Sequence, residues 1–148
     1  PPDFLAATRG KRYPMAGSAR TLAVMIVNDH PIMRDGLRLA VQNEPDMRVV
    51  CEVASQVEAI DQFNSCKPDA VLIDLQGCSS PGFLAIRAIA HISPSTPIVI
   101  LATFADEATR LGGLTLGHTI CLSKTATPVE VLEALRTLAT AFDRNPSA

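Results

Sequence analysis

The sequence predicts an α/β fold: five parallel strands in one doubly wound sheet, with helices on both faces. Three observations lead there. Short apolar runs alternate along the chain with amphipathic stretches at helical spacing. The runs are continuous rather than alternating in polarity, which suits strands buried on both faces. Finally, 148 residues with 47% hydrophobic and 19% charged content supply one domain with a sizeable core, and 4% aromatics make that core aliphatic.

The strands are read at Leu22–Val27, Val49–Val53, Ala70–Ile73, Pro97–Ala102 and Thr119–Leu122. The first helix spans Pro31 to Asn43, with Pro at its first position and Met33, Leu37, Ala40 and Val41 on one face. Ser55-Gln56-Val57-Glu58 is a capping box that opens Val57–Ser65. Phe83, Ile86, Ile89 and Ala90 mark a third helix. A fourth is expected over Asp106 to Leu116, where Gly112-Gly113 costs about 1 kcal/mol per glycine relative to Ala. A second capping box, Thr127-Pro128-Val129-Glu130, starts a helix with Val129, Leu132, Leu135 and Leu138 on one face. Strand-then-helix repeated five times forces parallel strands, because each crossover is right-handed. The expected architecture is a flavodoxin-like (βα)5 unit over residues 21–142. Residues 1–20 and 143–148 are expected to form a flexible tail and a loose end or linker.

In a doubly wound sheet the site lies outside the carboxyl ends of the strands. There the polar residues fall: Asn28-Asp29 after strand one, Asp74 after strand three, Thr103 after strand four and Lys124 after strand five. Two carboxylates from different strands can hold a hard divalent cation such as Mg2+. A carboxylate can also attack phosphorus and form an aspartyl phosphate, while Lys and Thr donate to phosphoryl oxygens. The rim therefore suits phosphoryl acceptance on Asp74 or Asp29, cation binding or anion binding. Taken singly, each residue is more simply a strand or helix cap; function is read from the set.

Val27-Asn28-Asp29-His30-Pro31-Ile32-Met33-Arg34-Asp35-Gly36-Leu37 resembles the opening of response-regulator receiver domains, above all those of NarL/LuxR type. Asp74-Leu75 with Gly82 eight residues on resembles that family's phosphoacceptor loop. Thr103 stands 29 residues after Asp74, and Lys124 another 21 on, as the family's spacing requires. The resemblance covers residues 21–141. It implies that Asp74 takes a phosphoryl group from the phosphohistidine of a sensor histidine kinase, with Mg2+ held by Asp29, Asp74, the main-chain carbonyl of Gln76 and, through a water, Asn28. It further implies that Lys124 pairs with a phosphoryl oxygen and that Thr103 swings its hydroxyl toward it. Such a protein is a cytoplasmic phosphorelay component. It is no enzyme beyond Mg2+-dependent self-phosphorylation and autodephosphorylation.

Several positions depart from the family pattern. Asn28 stands where a second acid is usual, which predicts weaker Mg2+ binding. Gly77-Cys78 replace a usual Met-Pro pair, bulky Phe104 follows Thr103, and Cys121 occupies the aromatic switch position. The altered positions point to reduced switching. The alternative is an atypical receiver that signals by dimerisation or partner contact with little phosphorylation. A reading from another class is a small nucleotide or flavin binder of the same fold, but no GxGxxG and no Walker A pattern is present.

The net charge is −2, yet Arg9, Lys11, Arg12 and Arg20 against Asp3 give the first twenty residues +3 and leave −5 on the remainder. That balance argues against DNA binding by this domain itself. In the family, DNA is reached through a C-terminal helix-turn-helix domain that this chain does not contain. The chain is accordingly expected to be either a piece of a longer transcriptional regulator or a stand-alone receiver. Self-association through the apolar faces of the first and last helices is left open. No run approaches the roughly 18 apolar residues of a membrane span. Cys51, Cys66, Cys78 and Cys121 lack zinc spacing and are expected to be reduced cytosolic thiols. His30 is expected to be a helix-entry residue, and Met25, Met33 and Met47 core filler.

Overall fold

The computed structural model describes residues 21–75, 81–102 and 119–143. The tails, Gln76 through Ser80, Thr103, Phe104, the helix expected over 106–116 and His118 lie outside them, as does the side chain of Phe83.

The elements run β1 (Leu22–Val27), α1 (Pro31–Gln42), β2 (Met47–Val53), α2 (Gln56–Cys66), β3 (Ala70–Leu75), α3 (Pro81–Ile92), β4 (Ile98–Ala102), β5 (Thr119–Ser123) and α4 (Pro128–Asp143). All strand pairs are parallel, in the order β2-β1-β3-β4-β5. The doubly wound sheet is therefore as expected.

Strand alternation splits each apolar run between two cores. Met25 and Val27 face one way with Val71, Ile73, Ile98 and Ile100, under Phe63 of α2 and Ile86 and Ile89 of α3. Val24 and Ile26 face the other way with Leu72, Val99 and Leu101, under Val41 of α1 and Leu132, Leu135 and Leu138 of α4. Each central strand thus needs apolar residues at every position, which is why the runs are continuous. The chain leaves β1 toward α1 on one face and leaves β3 toward α3 on the other. The crevice between those diverging exits is the switch point of the sheet.

The capping box at Thr127 forms in full and the one at Ser55 in part. Thr127 is reciprocal: Glu130 N donates to Thr127 Oγ1 at 3.2 Å and Thr127 N to Glu130 Oε1 at 2.7 Å. Ser55 accepts from Glu58 N at 3.2 Å, but Glu58 reaches one residue further back, to Ala54 N at 2.9 Å. Strand limits shift slightly. β2 starts at Met47 rather than Val49, because Met47 is buried and pairs with Leu22. β3 continues through Asp74, which pairs with Leu101, so the acid belongs to the strand rather than to the loop after it.

Met25 and Met47 are core residues as expected, but Met33 is only half-buried. Within α1 only Val41 is fully buried. Met33, Gly36, Leu37 and Ala40 instead line a groove of about 220 Å3 that α1 shares with Lys124, Pro128 and Val131. A Cβ at Gly36 would meet nothing within 4 Å. Gly36→Ala is therefore expected to stabilise the fold by about 1 kcal/mol through helix propensity alone, seen as a higher urea midpoint at unchanged slope.

One ion-pair cluster ties α4 to the turn before β2. Arg136 Nε and Nη2 donate to Asp46 Oδ2 and Oδ1 at 2.8 and 2.9 Å, and Nη2 also reaches Glu44. The Arg136 hydrogen bonds hold the Asp46 carboxyl below its ordinary value. A lowered folded-state pKa means this contribution is present above about pH 3.9 and is lost as pH falls through the lowered value. The wild-type urea midpoint is expected to fall more between pH 5 and pH 3 than that of Arg136→Met.

Candidate functional site

At the end of β1 the ladder runs one residue further, with Asn28 N donating to Val53 O at 3.0 Å. Asn28 is 2% exposed. Its Oδ1 accepts from His30 N at 2.7 Å, an Asx-type turn that aims the chain into α1. Its carbonyl accepts from Arg34 Nη1 at 2.7 Å, bracing the turn from the first helical turn. Asn28 Nδ2 is buried with no hydrogen-bond partner among the described residues.

Asp29 and His30 follow in the open, with His30 Nδ1 2.9 Å from Asp29 Oδ1. His30 is the N-cap of α1, as expected of a helix-entry residue, but its side chain makes no capping bond. Pro31 behind it has no N–H to satisfy.

Asp74 enters the crevice from the adjacent strand β3 and is 4% exposed. Lys124 follows β5 directly, its N donating to Ala102 O at 2.9 Å. Its Nζ lies 2.8 Å from Asp74 Oδ1. Ammonium and buried carboxylate are in direct ionic contact, and apart from Lys124 no described residue offers either Asp74 oxygen a hydrogen bond.

Asp29, His30 and Asp74 each bring one ligand atom into a group whose members lie within 4.8 Å of one another. Residues from two separate strands thus meet at the switch point. The Asp74 carboxylate, in contact with Lys124 through Oδ1, together with the Asp29 carboxylate forms a donor set that fits a divalent cation. Chemically, the arrangement offers a buried nucleophile with an ammonium in contact and open acceptor capacity.

Of the expected site residues, Asn28, Asp29, Asp74 and Lys124 converge on this rim. Thr103 and Gln76 lie outside the described residues. Cys121 sits in the middle of β5, half-buried against the α2–α3 core. Cys51, Cys66 and Cys121 are not joined in disulfides. Burial, then the neighbouring Cys66, pushes the Cys51 thiol up to about 12, so it stays protonated and inert at neutral pH. Sequence reasoning missed Arg34 as the brace of Asn28, and also Glu52, which engages Arg38 at 3.3 Å and Arg34 at 3.8 Å. The signal was weak: one more arginine on a helix.

The profile of the family described as "Response regulator receiver domain" matches residues 24–136. The chain belongs to the response-regulator receiver family. It is similar to the uncharacterized transcriptional regulatory protein YxjL of Bacillus subtilis, 32% identical over 118 residues, covering 80% of this chain and 54% of that protein. It also resembles the oxygen regulatory protein NreC of Staphylococcus aureus, 33% identical over 118 residues, covering 79% and 54%. Among solved structures, a LuxR-family two-component response regulator from Aurantimonas superposes with a TM-score of 0.72 at 29% identity, over 82% of this chain and 86% of that one. These relatives make it a receiver of NarL/LuxR type. The chain spans about half the length of the curated relatives it matches. Within this receiver no described helix is long and apolar enough to cross a membrane.

Proposed function

We propose that Asp74 of this receiver accepts a phosphoryl group from the phosphohistidine of a sensor histidine kinase. The observation that carries the reading is the Asp74–Lys124 pair: a buried carboxylate in direct ammonium contact beside Asp29. An Asp74 carboxylate oxygen attacks phosphorus. The P–N bond to the donor imidazole breaks, and its electron pair leaves with that imidazole. Lys124 balances charge at the carboxylate before attack and at a phosphoryl oxygen after it. Asp29 and Asp74 would hold Mg2+, with the main-chain carbonyl of Gln76 as a further ligand; when bound, the cation neutralises the phosphoryl oxygens. By its resemblance to the family, Thr103 supplies the switch hydroxyl. The added charge of about −1.5 to −2 is the signal that the surrounding donors read. Where such a receiver is joined to a DNA-binding domain, the output is transcriptional regulation in the cytoplasm.

A second reading is favoured by one observation. Asn28 stands in place of an acid, and its Oδ1 is committed to the His30 amide. A cation-poor receiver would signal through dimerisation or partner contact instead. Intact-mass measurement after incubation with acetyl phosphate or phosphoramidate and Mg2+ separates the two. One phosphoryl of added mass, absent from Asp74→Ala, is the result expected. No gain under conditions that label an ordinary receiver overturns the proposal in favour of the second reading.

A further inference from the structure

Two half-buried thiols that play no part in the rim meet between α2 and the edge strand β2. A bulge in β2 puts the first of them there. Val24 pairs with Val49 but Met25 pairs with Cys51, so Val50 is an extra residue. Met47 and Val49 therefore face the α1–α4 core, while Cys51 and Val53 turn to the α2–α3 core. On α2, the buried Ala59 and Phe63 mark the helix face that meets this same core. Cys66 ends the helix, three residues after Phe63 and seven after Ala59, so helical periodicity keeps it on that face. The two side chains are neighbours, close enough for a thiol hydrogen bond, and Cys66 Sγ also donates to Gln62 Oε1 at 3.7 Å. Neither thiol is sealed from solvent. Cys121 packs on the same core but from β5, the opposite edge of the sheet. Four strand spacings of about 4.8 Å put it roughly 19 Å from β2, beyond the reach of a disulfide.

We propose that Cys51 and Cys66 form a redox-sensitive pair that a hydroperoxide closes into an intramolecular disulfide, with Cys66 reacting first and Cys51 resolving it. The inference is independent of phosphoryl acceptance. The Cys66 sulfur, as thiolate, attacks one peroxide oxygen. The O–O bond breaks, the leaving hydroxide takes up the thiol proton as water, and a sulfenic acid remains on Cys66. Cys51 then gives up its proton and its sulfur attacks that of Cys66. The S–O bond breaks and a second water leaves. Two thiols and one peroxide thus become one disulfide and two waters, each sulfur losing one electron to oxygen. The order follows from the surroundings of Cys51. Burial above all keeps this thiol protonated, and the hydrogen bond to Cys66, the Cys66 charge and those of Glu52 and Glu58 add to it. Cys51 is therefore inert as the first nucleophile. Once Cys66 is a neutral sulfenic acid its charge no longer opposes ionisation, so oxidation of one thiol readies the other.

The test is exposure of the full chain to a small excess of hydrogen peroxide in native buffer. Remaining thiols are then alkylated, and the product is read by intact mass and peptide mapping. The expected product is a monomer with one peptide pair joined through Cys51 and Cys66 and separated again by dithiothreitol. In Cys51→Ser, Cys66 is expected to stop at the sulfenic acid and to take dimedone. In Cys66→Ser, Cys51 is expected to react with peroxide about tenfold or more slowly than Cys66 does in Cys51→Ser. Serine is close to cysteine in size and both sites are half-buried, and circular dichroism checks that each variant folds. The cross-linked chain is also expected to unfold at a higher urea concentration than the reduced one, because the bond closes a loop of about 15 residues in the unfolded state. A disulfide through Cys78 or Cys121 in place of this one, no disulfide at all, or a lower urea midpoint on cross-linking overturns the inference. Oxidation of Cys51 in Cys66→Ser as fast as that of Cys66 in Cys51→Ser overturns the order of the two steps.

Discussion

Lys124→Met is expected to destabilise the folded protein by about 3 kcal/mol in metal-free buffer at pH 7. The Asp74 side chain is 1% exposed and that of Lys124 is 22% exposed, so the substitution removes the partner of a charge that cannot reach water. Removing one member of a buried pair costs roughly 3–5 kcal/mol, far more than the pair contributes over a neutral replacement. The partial exposure of Lys124 places the effect at the lower end. Because the two charges are in direct contact and no other described residue hydrogen-bonds the Asp74 oxygens, the loss is mainly electrostatic, and neutralising Asp74 should recover most of it. Urea unfolding of Lys124→Met, Asp74→Asn and the double variant forms the required cycle. The double variant is expected to be about 2 kcal/mol more stable than the sum of the singles predicts. A cost below about 1 kcal/mol for Lys124→Met would make this an ordinary surface pair and remove the basis for a charged, poised Asp74.

The same pair shows which parts of the site the sequence could disclose. Asp74 and Lys124 were legible because each follows an apolar run, and a doubly wound sheet brings all strand ends to one rim. Backbone topology alone makes them neighbours, so no side-chain detail was needed. The strands were legible because β1, β4 and β3 up to Asp74 must be apolar to serve two cores at once. The strand limits were less so: Met47 joins β2 because Leu22 pairs with it across 25 residues, a fact local composition does not carry. His30 illustrates the opposite failure. Its position before Pro31 reads as helix entry, and that reading is right. What placed its imidazole among metal-ligating atoms was the turn made by Asn28 Oδ1, a side-chain-to-backbone bond that has no sequence period. Arg34 escaped notice for the same reason, since its target is a main-chain carbonyl.

Restoring the missing acid is expected to trade stability for cation affinity. In Asn28→Asp the carboxylate can still accept the His30 amide, and the buried Nδ2, which has no partner among the described residues, disappears. Removing that orphan donor returns about 1 kcal/mol. Against this, position 28 is 2% exposed, and a new carboxylate there is desolvated on a rim that already carries Asp29 and Asp74. An uncompensated buried charge costs roughly 3 kcal/mol, so the metal-free variant should be about 2 kcal/mol less stable than the wild type. A divalent cation reverses the sign of that balance, because the added charge then has a partner. Mg2+ is expected to bind about tenfold more tightly, equivalent to about 1.4 kcal/mol, and its stabilisation should grow with concentration as RT ln(1 + [Mg2+]/Kd). Thermal unfolding across a Mg2+ series gives both quantities from one set of samples. The curves for wild type and Asn28→Asp should converge as Mg2+ rises. Parallel curves would mean that position 28 does not sense the cation, and the weaker Mg2+ binding expected from Asn28 would then need another cause.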